Sequence, residues 1–76
     1  MELNHFVEKF SEQFEETEPS VFKPDTIFKQ LDEWSSMTAL SVIAMVDSEY
    51  AVKIAGNEIK NVSTIKELYE LILSKR

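Results

Sequence analysis

The stretch DEWSSMTALSVIAMV, residues 32–46, joins a charged approach to the longest nearly apolar run of the chain. Residues 37–46 carry no charge, and their apolar side chains cover almost every direction around a helix. Ser35 or Ser36 suits the N-cap of such a helix, because a hydroxyl accepts a hydrogen bond from an unpaired backbone N–H. The pattern therefore predicts a central helix over residues 36–50.

The N-terminal segment has the periodicity of an amphipathic helix. Leu3, Phe6, Phe10 and Phe14 recur at spacings of three and four residues and predict a helix over residues 2–15. The segment after the central helix predicts one short and one long helix. A lone strand at residues 52–54 would have no partner, so we predict a connector with a short helical turn over residues 56–60.

The last helix is predicted from a capping pattern. Thr64 and Glu67 have the spacing of a capping box ahead of an apolar run that begins at Ile65. Between the first and second helices, Pro19 and Pro24 interrupt helical geometry and predict a loop that extends to about Ser35.

That loop is rich in apolar side chains that would be unfavourable in water, so we predict that it packs against the helices. A short helical turn is expected near residues 26–31. The side chains expected to pack are Phe22, Ile27, Phe28, Leu31 and Trp34. The predicted fold class is all-α: a single domain over residues 1–76, a small four-helix bundle of three longer helices and one short helix, with a long packed loop between helices 1 and 2.

Charge and composition limit the class of function. The chain has 14 acidic and 8 basic side chains and a net charge of −6, so it would repel nucleic acid and anionic membranes and favour a basic protein surface. It has no cysteine, and the single His5 has neither the partners of a metal site nor those of a catalytic triad. The N-terminus lacks the positive start and apolar centre of a signal peptide. We expect a monomeric cytoplasmic protein that is not an enzyme and binds no metal.

Three landmarks in the chain resemble the acyl carrier protein family. The family opens the second of its four helices with Asp-Ser-Leu, and Ser36-Met37 takes the place of Ser-Leu within WSSM. Glu49-Tyr50 corresponds to the acidic and aromatic pair at the exit of that helix, and Thr64-Ile65 to the start of the fourth. The resemblance runs over residues 36–72 without a gap.

The resemblance implies that a phosphopantetheinyl transferase attaches 4′-phosphopantetheine from coenzyme A to Ser36 through a phosphodiester. The thiol of that arm would hold an acyl group as a thioester and shuttle it between enzymes of a fatty acid, polyketide or related pathway. The positive end of the helix dipole favours a phosphate at this position. Ser35 is the alternative attachment site. Ser36 is preferred because Met37 then follows the modified serine and Trp34 lies two residues before it.

Two departures from the family pattern alter the expected partner surface. Ser35 stands where the family has aspartate, and the ten residues after Ser36 carry no charge. Docking to the transferase, and to an acyl-activating ligase, ketosynthase or acyltransferase with a basic surface, would then depend on residues around this helix. The candidates are Asp32, Glu33, Trp34, Met37, Leu40, Asp47 and Glu49.

A protein of another class is the alternative: an acidic helical interaction module that carries no cofactor. It would bind a basic helix or peptide, and Ser36 would be only a helix cap. This alternative accounts for the charge and the helices but not for the spacing of the later landmarks.

Overall fold

The structure is a computed structural model that describes residues 2–76, and these residues form four α-helices and no β-strand. The helices are α1 (Glu2–Ser11), α2 (Ser36–Tyr50), α3 (Gly56–Lys60) and α4 (Ile65–Lys75). The predicted all-α class, with three longer helices and one short helix, is confirmed. α1 packs against α2 and α4, and α2 also packs against α3.

α1 is shorter than predicted, because the chain turns away after Ser11. The backbone N–H groups of Gln13 and Phe14 donate to carbonyls three residues earlier instead of continuing the helical pattern. The N–H groups of the next residues, 15–17, donate to the carboxylate of Glu33, which lies at the far end of the loop between α1 and α2. This polar contact bends the chain while Phe14 stays buried.

The connection between α1 and α2 is a packed loop, as predicted. It contains two short 3-10 turns, Pro19–Val21 and Phe28–Gln30, and the second lies in the segment where a helical turn was expected. Phe22 and Phe28 are buried, and Leu31 and Trp34 are partly buried against the core.

Ile27 is the exception within that loop, since its side chain is exposed although it was predicted to pack. Its backbone forms an isolated antiparallel bridge with Thr64 at the start of α4. Next to this bridge, the N–H groups of Ile65 and Lys66 donate to the loop carbonyls of Thr26 and Pro24. Backbone pairing therefore holds the loop here, and the Ile27 side chain points outward.

A cluster of phenylalanines from α1 and the loop forms the centre of the core. The ring centroid of Phe10 lies 5.3 Å from that of Phe28, 5.4 Å from Phe14, 6.0 Å from Phe22 and 6.2 Å from Phe6. These separations are typical of stabilising aromatic pairs. The cluster explains why a chain without disulfides keeps a compact core.

α2 is not the central helix that its composition predicted. Among its side chains only Val42, Met45 and Val46 are buried, whereas Met37 and Leu40 are 77% and 65% exposed. The prediction was wrong because the phenylalanines occupy the centre. α2 covers them with one face of its C-terminal half. The side chains of Met37 and Leu40 in its N-terminal half are left exposed to solvent.

α4 begins with the predicted capping box. The Thr64 hydroxyl accepts from the Glu67 N–H at 3.1 Å, and the Glu67 carboxylate accepts from the Thr64 N–H at 3.3 Å. The helix buries Ile65, Leu68 and Ile72 against the core. It also packs against α1.

Candidate functional site at the N-terminus of α2

Ser35, not Ser36, caps α2. The Ser35 hydroxyl accepts from the Thr38 N–H at 3.4 Å, and the Thr38 hydroxyl accepts from the Ser35 N–H at 2.7 Å. The backbone of Ser35 is extended, as an N-cap requires. The hypothesis that Ser36 acts as the helix cap is therefore wrong, since the neighbouring serine has that role.

Ser36 lies in the first turn of α2, and its side chain is exposed. Within residues 2–76 its hydroxyl takes part in no hydrogen bond. An oxygen in this position is accessible from solvent without any change in the fold. Met37, the next residue, is also exposed, so the two side chains present a hydroxyl and an apolar group together.

An open groove with a volume of about 430 Å³ lies beside Ser36, between α2 and α3. Its walls come from α2, α3 and the end of the loop. The lining residues are Lys29, Trp34, Ser35, Ser36, Ala39, Leu40, Ile43, Gly56, Ile59 and Lys60. Most of this surface is apolar, and the volume lies in the range of small-molecule sites, about 300–1,000 Å³.

One wall of this groove could have been found in the sequence. Ser36, Leu40 and Ile43 lie four and three residues apart, so a helix places them on one face. The opposite wall carries no such signal, because nothing in the sequence indicates that Gly56 and Ile59 of α3 face that side of α2. Sequence analysis missed the groove for this reason.

Gly56, the first residue of α3, lines the groove and has open space beside it. A Cβ atom built on this residue would meet no atom within 4 Å. This residue of the groove lining therefore has room for a larger side chain.

Two cations lie on the groove, and sequence analysis identified neither of them. The Lys29 ammonium donates to the backbone carbonyl of Lys60 at the C-terminal end of α3. This bond joins the loop to α3, and a cation is favourable at the end of a helix. Both lysines line the groove, and no carboxylate of the described residues does.

Glu33, one of the candidate docking residues, holds the loop in place. Its carboxylate accepts from the Thr17 hydroxyl at 2.7 Å and from the N–H groups of Glu15, Glu16 and Thr17 at 2.8, 3.1 and 3.0 Å. The Thr17 hydroxyl first, and then the three N–H groups, hold the pKa of Glu33 below its ordinary value. Glu33 thus links the chain after α1 to the start of α2.

Trp34 contacts the aromatic core and also lines the groove. Its ring packs edge-on against Phe28, with centroids 4.9 Å apart, and stacks near Phe14 at 6.3 Å. The same side chain lines the groove beside Ser36. A ligand in the groove would therefore contact the only tryptophan of the chain.

The other charged candidates differ in how their carboxylates are paired. Asp47 accepts from the Lys53 ammonium at 3.1 Å, and Glu49 lies 4.0 Å from that of Lys9. Asp32 is exposed before the start of α2 and forms no ion pair within the described chain. Acidic side chains therefore lie just before α2, at Asp32, and near its C-terminal end, at Asp47 and Glu49. Residues 36–46 between them carry no charge.

Two features are absent from the part of the chain that the structure describes. No group of three or more His, Asp or Glu side chains is arranged to hold a metal ion, and His5 is exposed on α1. None of the helices of residues 2–76 has the length and apolar character needed to cross a bilayer.

The sequence matches no known family model, and no significant match is found among curated proteins or solved structures. Function therefore has to be inferred from the chemistry of the site.

Proposed function

We propose that this protein is an acyl carrier in which Ser36 bears 4′-phosphopantetheine. The observation that carries the proposal is an exposed hydroxyl in the first turn of α2, without a hydrogen bond in residues 2–76, beside a largely apolar groove. The position of the later landmarks adds support. Glu49-Tyr50 ends α2 and Thr64 caps α4, in the order of the family pattern.

The residues at the site suit the attachment reaction. The Ser36 oxygen would attack the β-phosphorus of coenzyme A and lose its proton to a base of the transferase, and adenosine 3′,5′-bisphosphate would leave. The new phosphodiester would lie at the positive end of α2, where free N–H groups and the helix dipole favour negative charge. This chain supplies an accessible hydroxyl and a favourable field, and the transferase supplies the catalysis.

Partner enzymes would dock on the exposed half of α2. Met37 and Leu40 are the exposed apolar side chains closest in sequence to Ser36, and Asp32, just before them, is a carboxylate without an ion pair in residues 2–76. An acyl-activating ligase, ketosynthase or acyltransferase would place an apolar contact over the two side chains and a basic group opposite Asp32. In this proposal the protein is a monomer in the cytoplasm and moves acyl groups between such enzymes.

Intact mass spectrometry tests the proposal. The chain is co-expressed with a phosphopantetheinyl transferase of broad specificity, alone and as the Ser36→Ala and Ser35→Ala variants. We expect one added phosphopantetheine on the wild type and on Ser35→Ala, and none on Ser36→Ala. Modification lost only in Ser35→Ala would move the site by one residue, and no modification with any of several transferases would reject the carrier proposal.

The exposure of Met37 and Leu40 also favours the second candidate, a cofactor-free module that binds a basic helix or peptide. Under that function, Met37→Ser and Leu40→Ser would abolish partner binding, whereas Ser36→Ala would leave it intact. Under the carrier function, Ser36→Ala abolishes acyl transfer by itself. Binding and transfer assays on these variants separate the two candidates.

A further inference from the structure

The groove between α2 and α3 is cationic within an acidic protein. The chain has a net charge of −6, yet within the part of the chain that the structure describes the charged residues lining the groove are Lys29 and Lys60, without any carboxylate. Neither ammonium group has a carboxylate within ion-pair distance in residues 2–76. The groove is therefore a local site for a negative group, although the molecule as a whole repels anions.

Of the carboxylates on the adjoining segments, Glu33 and Glu58 are engaged elsewhere, and Asp32 is exposed but does not line the groove. Glu33, next to Trp34, accepts from residues 15–17, and Glu58 of α3 lies 2.7 Å from the ammonium of Lys75 on α4. The two lysines thus keep their charge available to a ligand. Lys29 is also fixed in position, because one of its three N–H groups donates to the Lys60 carbonyl and two remain.

The apolar lining of the groove has the opposite character to its two lysines. Ala39, Leu40 and Ile43 of α2 face Ile59 of α3, with Trp34 at the end of the loop. From Ser36 to Ile43 the helix rises by about 10 Å, which suits a short hydrocarbon chain laid along it. An inorganic anion would leave these walls in water, and a neutral hydrocarbon would not use the lysines.

We propose that this groove binds, without a covalent bond, a single-chain amphiphile with a carboxylate head group. The chain lies against Leu40, Ile43 and Ile59, and the carboxylate accepts hydrogen bonds from Lys29 with Lys60 beside it. Burial of the chain supplies most of the affinity, and the two cations select the head group. The site requires no modification of Ser36, so it stands or falls independently of the carrier function.

Three eight-carbon probes test the proposal on the unmodified protein: octanoate, 1-octanol and octylammonium. Binding is followed by the fluorescence of Trp34, the only tryptophan, and mapped by amide chemical shifts. We expect octanoate and 1-octanol to perturb α2 and α3 around the groove, and octylammonium to bind weakest. Perturbations that map elsewhere, or equal binding of octanoate and octylammonium, would overturn the proposal.

Substitution of the lysines tests the selection of the head group. The double variant Lys29→Gln, Lys60→Gln should weaken octanoate binding about fivefold, the scale of exposed ion pairs, and leave 1-octanol binding unchanged. The matched control is Lys23→Gln, Lys66→Gln, which removes the same charge outside the groove and should leave octanoate binding near the wild-type value. Equal loss in the two double variants would show a general charge effect and reject the site.

Gly56→Phe tests the location in a different way. Gly56 lines the groove, and a Cβ atom there would meet no atom within 4 Å, so a phenylalanine can be placed without a clash. We expect its ring to occlude the groove and abolish both octanoate and 1-octanol binding, with the helical circular dichroism retained. Gly56→Ala is the matched control and should keep both. Unchanged binding in a folded Gly56→Phe protein would place the ligand elsewhere and refute the proposal.

Discussion

The two halves of α2 each carry a methionine and branched apolar side chains, but these side chains have opposite surroundings. Met45 in the C-terminal half is 7% exposed, whereas Met37 in the N-terminal half is 77% exposed. Val42 and Val46 pack against the phenylalanine core, whereas Leu40 lines an open groove. Composition alone therefore does not decide which half of this helix stabilises the protein and which half is accessible to a partner.

The difference lies in what holds each half in place. Apolar burial holds the C-terminal half. The N-terminal half is positioned by hydrogen bonds: the reciprocal cap between Ser35 and Thr38, and the carboxylate of Glu33 that binds residues 15–17. A helix end held in this way can expose Ser36 and Met37 without losing its position. The exposed apolar surface is then available for function.

The two methionines give the sharpest test of this comparison. Met45→Ala should lower the free energy of unfolding by about 2–5 kcal/mol, because it leaves a cavity in the core. Met37→Ala is the matched control in the same helix and should change it by less than about 0.5 kcal/mol. Urea denaturation followed by circular dichroism measures both. Similar losses in the two variants would mean that both halves are packed and that the groove is closed in solution.

The carboxylate of Glu33 predicts a dependence of stability on pH. Hydrogen bonds from the Thr17 hydroxyl and from the backbone N–H groups of residues 15–17 lower the pKa of Glu33 in the folded protein below the ordinary value of 4.5. The stabilisation is therefore fully present above pH 4.5 and is lost as the pH falls through the lower folded-state pKa. Urea midpoints measured from neutral pH downward should fall over that window, and less so in Glu33→Gln.

Two other glutamates serve as references for that measurement. The Ala55 N–H and Lys75 also lower the pKa of Glu58, so part of the pH dependence should remain in Glu33→Gln. Glu70, an exposed residue without a hydrogen bond or ion pair in residues 2–76, gives the control variant Glu70→Gln. If Glu70→Gln and Glu33→Gln reduced the pH dependence equally, the link between α1 and α2 would not depend on Glu33.

Local patterns predicted the positions of the helices well, because local chemistry determines them. The bounds of α2 and α3 agree with the prediction, and the Thr64 capping box starts α4 where its spacing indicated. The end of α1 could not be predicted, since Glu33 lies far along the chain from the residues that it binds. The predicted burial of α2 was wrong for a related reason. Periodicity shows which side chains are apolar, but it does not show which other segments fill the core.

Only those parts of the site that lie close together in the sequence could be predicted. Ser36 and the apolar face of α2 could be recognised from adjacent residues and from helical spacing. Lys29 and Ile59 could not, because the loop and α3 bring them to α2 only in the folded chain. The cap was assigned to Ser35 or Ser36 from the sequence, and the bond to Thr38 decides between them.

The adjacent serines give the smallest expected difference in the free energy of unfolding. They also test most directly how the N-terminal half of α2 is held in position. Ser35→Ala removes the acceptor for the Thr38 N–H and should lower the free energy of unfolding by about 1 kcal/mol. Ser36→Ala removes an exposed hydroxyl without a hydrogen bond in the described chain and should change stability by less than about 0.5 kcal/mol. Thermal and urea unfolding of both variants would measure this. A larger loss in Ser36→Ala would mean that its hydroxyl has a structural role, and a hydroxyl held in that way would be a poor site for modification.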